Sequence, residues 1–116
     1  LSIIDILNKA DVKTYWLTNQ TLKGIWDNMI SVLASESDHL VGINYAIGRQ
    51  METQKYDGAL IKELEKALAD KTNKNKVIFV HLMGSHIKYC SRYQIEEYSS
   101  FKNELDKGRS LEEFLI

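Results

Sequence analysis

The first part of the chain alternates between apolar residues at helical spacing and a short apolar run. Ser2 suits the N-cap position, and apolar side chains follow it at helical intervals, which predicts an amphipathic helix over residues 2–10. Residues 12–17 are rich in β-branched and aromatic side chains and predict a strand. The polar stretch 18–21 then predicts a loop.

The same kinds of element follow further along the chain. The pattern predicts a short helix near 29–36, a strand over 40–43 and an amphipathic helix over 56–70. A polar turn occupies 71–76, and the unbroken apolar run 77–82 is typical of a strand that is covered on both faces. Alternation of helices and strands indicates an α/β fold with a mainly parallel sheet.

Composition narrows the class of protein. The chain has 116 residues, of which 44% are hydrophobic, and this suffices for the core of one domain. Its 15 Lys and Arg nearly balance 16 Asp and Glu, so we expect no nucleic acid partner. No apolar run reaches the roughly 18 to 20 residues that cross a bilayer, and we expect the chain as given to be soluble. The single cysteine, Cys90, cannot form an internal disulfide.

The two ends of the chain have features of a cut sequence. It begins at Leu1 without a methionine and stops at Ile116 inside a helical pattern. We therefore interpret residues 1–116 as a single fragment, an excised or processed portion of a longer protein.

Ligands of an open α/β sheet gather beyond the carboxyl ends of its strands, where loops converge. The loops to consider are therefore 18–24 and 82–93. The first contains Asn19, Gln20 and Lys23, whose amide and ammonium groups suit an anionic oxygen. The alternative for this loop is a polar connection in water without a ligand.

The second loop brings two histidines close to a glycine. His81 ends the apolar run, and Gly84 allows a sharp turn that returns His86 toward the same place. Imidazole can bind a metal, transfer a proton near neutral pH or donate to a phosphate oxygen. The alternative is that both histidines are structural. The third histidine, His39, is expected at the surface or in a cap.

Several common sites lack their sequence signatures. The chain contains no GxGxxG, Walker or HExxH motif, and Ser85 lacks the flanks of a nucleophile elbow. Tyr15, Trp16 and Trp26 are expected in the core, because no basic groove accompanies them as in a base-stacking surface.

The HxxGSH turn at 81–86, with the strand before it, resembles the corresponding stretch of the bacterial phosphoethanolamine transferases. These enzymes are membrane-anchored members of the sulfatase and alkaline phosphatase superfamily. The YWxxNQ segment at 15–20, the stretch 24–28 and Tyr56-Asp57 before a helix are similar to the same family in the same order. The resemblance spans nearly the whole chain and implies part of an alkaline-phosphatase/sulfatase-like domain.

The resemblance implies what the longer protein does. The family moves phosphoethanolamine from a phospholipid donor to lipid A or another envelope acceptor, through a phosphothreonine at a zinc centre. It does so in a periplasmic domain of an inner-membrane protein. The resemblance therefore implies zinc as the cofactor of the parent enzyme, and the phospholipid and envelope acceptor as its partners.

The resemblance also assigns residues on the substrate side of the pocket. It implies that His86, and secondarily His81, approach the substrate phosphate, with His86 also placed to serve as an accessory metal ligand. It implies that Asn19, Gln20 and Lys23 lie in the loop that contacts the head group. Such roles suit phosphoryl transfer, which depends on positioning and on neutralising the charge of equatorial oxygens.

The residues that perform the covalent chemistry in the family have no match in this sequence. No threonine has the context of the family's nucleophile. The Ser-Asp-His-Leu stretch at 37–40 has leucine in place of glycine and precedes the HxxGSH turn, so we assign no metal-ligand role to His39. We expect no catalytic residue and no zinc bound by catalytic ligands in this fragment, which alone should be inactive.

Two other interpretations stay open. Phosphoglycerol transfer or sulfate ester hydrolysis, both activities of the superfamily, would use the same metal centre on a different head group. A small non-catalytic α/β binding module would leave both histidines structural. Open sheet edges would also let the fragment pair with copies of itself.

Overall fold

The computed structural model describes residues 1–20, 29–44, 55–72 and 75–84 of the chain. All of them belong to one compact unit, Leu1–Gly84. The elements in chain order are α1 (Ile3–Lys9), β1 (Lys13–Thr18), α2 (Met29–Ser35), β2 (His39–Gly42), a 3₁₀ turn (Asp57–Ala59), α3 (Leu60–Ala69) and β3 (Lys76–His81). Each helix and strand predicted over these residues is present. That all 116 residues form a single domain stays a prediction.

The three strands form a parallel sheet in the order β2-β1-β3, which confirms the predicted α/β fold. Tyr15 of β1 lies opposite His39 of β2 on one side and Ile78 of β3 on the other. Parallel neighbours require crossover connections, and α2 and α3 lie in the segments that lead to β2 and β3. All three strands therefore end at the same edge of the sheet.

Local capping explains the short helix α1. The Ser2 hydroxyl accepts a hydrogen bond from the backbone N–H of Asp5 at 3.1 Å, as expected for an N-cap serine. Asp5 lies in the first turn and Lys9 in the last turn, so both charges interact favourably with the helix dipole. Their side chains also form an ion pair at 3.0 Å. Asp11 then takes a positive φ of 59°, and the chain turns into β1.

The core lies on both faces of β1. On one face Trp16 packs with Ile4 of α1 and Ala34 of α2, and its ring stacks on Phe79 with centroids 5.1 Å apart. On the other face the Tyr15 hydroxyl reaches Asp70, the residue that follows α3. Because successive side chains of a strand point to opposite faces, β1 is enclosed by helices on both sides.

The expectation that the run 77–82 forms a strand covered on both faces is wrong for the described structure. β3 lies at an edge of the sheet that the described residues form, and none of its residues is fully buried. Val80 is 41% exposed. The enclosed strand is β1, in which every residue after Lys13 is buried. Position in the sheet outweighs hydrophobicity here, because only the central strand has neighbours on both sides.

The expected places of the aromatic residues and of His39 are confirmed where the structure describes them. Tyr15 and Trp16 are buried, while Trp26 lies outside the described residues. His39 is exposed at the start of β2, and its ring stacks on Tyr15 with centroids 4.7 Å apart. Within the described ranges, no helix combines the length and apolar character that a membrane span requires.

Candidate functional site

The carboxyl ends of β1 and β3 meet directly and bring the predicted loops together. Thr18 and His81 are partners in the sheet register. The Thr18 hydroxyl lies 3.3 Å from Nδ1 of His81, and the backbone N–H of Asn19 donates to the His81 carbonyl at 2.9 Å. The sheet therefore fixes His81 beside the loop that begins at Asn19.

The Thr18 hydroxyl is fully buried and connects His81 to Gln20. It accepts from the backbone N–H of Gln20 at 3.0 Å and forms a hydrogen bond with Nδ1 of His81 whose direction depends on the imidazole tautomer. If Nδ1 accepts the hydroxyl proton, Nε2 of the neutral imidazole carries the ring N–H and is a donor. The Gln20 side chain crosses to β3 and donates to the Leu82 carbonyl at 3.1 Å. Gln20 and His81 are thus held at one rim.

Asn19 is almost wholly buried, and its amide is engaged within the protein. Its Nδ2 donates to a carboxylate oxygen of Asp57 at 2.6 Å and to the Lys55 carbonyl at 3.2 Å. Nδ2 of Asn44 donates in turn to the carbonyl of Asn19 at 3.2 Å. These bonds give Asn19 a structural role at the rim. Its expected contact with a head group stays a prediction.

Asn44 joins the end of β2 to the same place. Its Oδ1 accepts from the backbone N–H of Lys55 at 3.0 Å, and its Nδ2 donates to the Lys55 carbonyl at 3.3 Å. The backbone N–H of Ile43 donates to the Thr18 carbonyl at 3.0 Å. The ends of all three strands and the segment before α3 therefore form one hydrogen-bonded rim.

Asp57 holds the beginning of the glycine turn. Its two carboxylate oxygens accept from the backbone N–H groups of Met83 and Gly84, each at 2.8 Å. Gly84 has a φ of 57°, in the left-handed region that favours glycine. Sequence reasoning noticed Asp57 only as part of a resemblance. The N–H groups that it binds lie 26 and 27 positions away, so no local signal in the sequence points to this contact.

The described rim contains His81, Asn19 and Gln20 of the five residues predicted for the substrate side. His86 and Lys23 lie outside the described residues. His81 is half-buried, and its ring makes an edge contact with Trp16 at 6.0 Å between centroids. Within the described ranges, the indole Nε1 of Trp16 is the buried side-chain atom that lacks a hydrogen-bond partner.

The described rim does not fit a zinc centre. Over the ranges that the structure describes, no group of three His, Cys, Asp or Glu residues could hold a metal ion. Both carboxylate oxygens of Asp57 are engaged with N–H donors. What the rim can do is hold hydrogen-bond donors at fixed positions beside the sheet edge.

Comparison with known proteins identifies similar domains. The family model described as Sulfatase matches residues 1–113. The phosphoethanolamine transferase EptC of Escherichia coli K12 is 34% identical over 92 residues, which cover 79% of the chain and 15% of that protein. The phosphoethanolamine transferase CptA of Salmonella typhimurium is 32% identical over 105 residues, covering 90% of the chain and 18% of that protein.

A solved structure has a similar fold. The C-terminal periplasmic domain of EptC from Escherichia coli, crystallised as a complex with Zn, matches with a TM-score of 0.74 and 28% sequence identity. The match covers 98% of this chain and 32% of that domain. The chain thus spans less than a fifth of each of the two curated relatives and about a third of the solved domain.

Proposed function

Because the chain belongs to the sulfatase family, we propose that it provides the substrate-phosphate side of a phosphoethanolamine transferase. The donor in this proposal is a phospholipid, and the acceptor is lipid A or another envelope component. The names of the relatives EptC and CptA support transfer of phosphoethanolamine over hydrolysis of a sulfate ester. The solved relative is a periplasmic domain, which supports the same location for this one. The proposal also places the complete protein in the inner membrane.

The observation that carries the proposal is the rim at the carboxyl ends of β1 and β3. There His81 and Gln20 are fixed side by side, and the chain enters the Gly84 turn two residues before His86. In an open α/β sheet this edge is where ligands bind. Imidazole and amide donors at fixed positions can neutralise charge on equatorial phosphate oxygens without reorganising during the reaction.

Each predicted residue has a role in this arrangement. His86 and His81 donate to the phosphate of the substrate, and Gln20 and Lys23 orient its head group. Asn19 stabilises the loop after β1 through its buried hydrogen bonds to Lys55 and Asp57. Zinc in the complete enzyme would supply Lewis-acid stabilisation at the reacting phosphate. In this proposal, the residues that hold zinc and form the covalent intermediate belong to other parts of the enzyme, and the chain alone does not transfer. Among the described residues, no group of three His, Cys, Asp or Glu could hold a metal ion.

The proposal is tested by the substitution His86→Ala in the full-length protein. Transfer of phosphoethanolamine from labelled phospholipid should fall by about 100-fold, a loss typical of one group that stabilises transition-state charge. His39→Ala is the matched control, because His39 is exposed at the opposite end of the parallel sheet. It should leave the transfer rate within about twofold of the wild type.

Three results would contradict the proposal in different ways. Full activity of His86→Ala with unchanged folding would remove the role assigned to His86. Wild-type protein that released sulfate from a sulfate ester, or moved phosphoglycerol instead, would replace the proposed substrate. Wild-type protein with no activity on any of these substrates would favour a non-catalytic binding module.

A further inference from the structure

Asp57 lies at the point where the predicted phosphate-binding turn leaves the sheet. We propose that Asp57 is a positioning residue for that turn: its carboxylate fixes the backbone from which the segment toward His86 departs. The contact itself stands on the structure alone, while its effect on phosphoryl transfer rests on the proposed function.

The carboxylate of Asp57 accepts hydrogen bonds from both the loop after β1 and the turn after β3. Oδ1 accepts from Met83 N–H at 2.8 Å and from Asn19 Nδ2 at 2.6 Å, and Oδ2 accepts from Gly84 N–H at 2.8 Å. Hydrogen bonds to an ionised acceptor are stronger than those between neutral groups. A single side chain therefore joins the loop after β1 to the turn after β3.

Asp57 is itself held in place by the structure on either side of it in the chain. It begins the 3₁₀ turn that continues into α3, whose first residue, Leu60, is buried. Two residues earlier, both backbone polar groups of Lys55 bond to the Asn44 side chain. A group supported in this way can hold a neighbouring turn within a narrow range of positions, as a site for phosphoryl transfer requires.

The same contacts determine which groups are available to a phosphate. The N–H groups of Met83 and Gly84 are occupied by Asp57, so they cannot form an anion-binding nest. These two N–H groups are therefore not available to a phosphate. Three donors also offset the negative charge of Asp57, which would otherwise repel the substrate.

Gly84 shows that the turn has a demanding backbone conformation. Its φ of 57° is disfavoured for other residues, yet a Cβ at this position would meet no heavy atom within 4 Å. Glycine is required here by the backbone angle and not by lack of space. The two bonds from Asp57 to consecutive N–H groups are the contacts that stabilise this conformation.

Amide hydrogen exchange in the full chain tests the contact directly. In Asp57→Asn, one carboxylate oxygen becomes an NH₂ group that cannot accept, and exchange at Gly84 or Met83 should accelerate by about 10- to 100-fold. The Leu17 amide in the central strand serves as the internal reference and should not change. Glu65→Gln is the matched control, since it removes one negative charge from an exposed position on α3.

Steady-state kinetics of the protein expressed from its own gene test the positioning role. Asp57→Asn should lower kcat by about tenfold or more and leave KM for the phospholipid donor nearly unchanged, because the loss falls on the transition state. Asp57→Glu keeps the charge but moves the carboxylate by one methylene group. It should fold normally, leave Leu17 protected and show a similar loss of kcat.

The outcomes separate this inference from the proposed function. Unchanged exchange at Met83 and Gly84 in both variants overturns the inference, whatever the activity. Faster exchange with unchanged kcat also overturns it, and so does loss of protection at Leu17 in both variants, since either result leaves Asp57 a merely structural role. Absence of transfer by the wild type overturns the proposed function instead, and the exchange result then still decides whether Asp57 holds the turn.

Discussion

At the scale of the residue, the contact between Tyr15 and Asp70 shifts the pKa values of both side chains. The Tyr15 hydroxyl donates to the Asp70 carboxylate, which also accepts from the backbone N–H and hydroxyl of Thr72. The bond to Asp70, followed by burial of the ring, raises the pKa of Tyr15 to about 12. The same bond, with those from Thr72, holds the pKa of Asp70 well below its usual range.

These shifts predict how the stability of the fold depends on pH. The folded pKa of Tyr15 is raised from 10.0, so its contribution is complete below pH 10 and is lost as pH rises toward 12. The pKa of Asp70 is lowered, so its contribution is present above 3.8 and is lost as pH falls below that value. The free energy of unfolding lost in Tyr15→Phe should therefore be greatest between about pH 5 and 9.

Urea denaturation at a series of pH values measures this difference. Tyr56→Phe is the control, because Tyr56 is 40% exposed, and its substitution should have little effect at any pH. A penalty for Tyr15→Phe that stayed constant from pH 3 to 11 would show that the hydroxyl does not act through Asp70.

At the scale of the element, α3 ends without a glycine and depends on a lysine from β3. The chain leaves the helix at Asp70 in an extended conformation. The Lys76 ammonium donates to the carbonyls of Ala67 at 2.8 Å and Leu68 at 3.3 Å, and also to that of Asp70. Carbonyls in the last helical turn lack partners within the helix, and a cation there opposes the helix dipole. Lys76 thus links the C-terminal end of α3 to β3 by hydrogen bonds.

Replacement of this cation should destabilise the protein. Lys76→Met keeps the length of the side chain but removes its donors, and it should lower the free energy of unfolding by about 1 to 2 kcal/mol. Chemical denaturation measures the effect. Lys62→Met on the exposed part of α3 provides the control, with an expected change within about 0.5 kcal/mol. Equal effects of the two substitutions would mean that the carbonyls of α3 do not need Lys76.

At the scale of the whole molecule, β1 is the central strand of the described unit. It pairs with β2 and β3, and helices cover both of its faces. Its buried threonines are satisfied by hydrogen bonds: Thr14 by Asn8 and Asp38, and Thr18 by Gln20 and His81. Leu40 of β2 and Val80 of β3 remain partly exposed on the outer strands. Association of copies through these strands stays a prediction.

The central position of β1 predicts a large effect of shortening its side chains. Leu17 is 1% exposed, and Leu17→Ala should lower the free energy of unfolding by about 2 to 5 kcal/mol through lost burial and the cavity left behind. Leu68→Ala is the matched control, since Leu68 is 60% exposed and should change the free energy by less than about 0.5 kcal/mol. Thermal denaturation of the two variants makes the comparison. Similar midpoints would contradict the central place of β1.

The sequence by itself determined the type and approximate bounds of the elements. Capping by Ser2, helical spacing and the apolar run before His81 are local signals, and they depend on interactions within a few residues. Alternation of these elements was sufficient to predict a parallel α/β sheet. The motifs around Asn19 and His81 also located the rim, because parallel strands place all their carboxyl ends at one edge.

Only the tertiary structure decided which strand is central and what Asn19 and Asp57 do. The run 77–82 is more hydrophobic than β1, but strand order and helix packing enclose β1 and leave β3 half-exposed. Asn19 and Asp57 are 38 positions apart, and Asp57 and Gly84 are 27 apart. Hydrogen bonds over such separations leave no periodic pattern in the sequence, since they arise only when the sheet brings distant segments to the same edge.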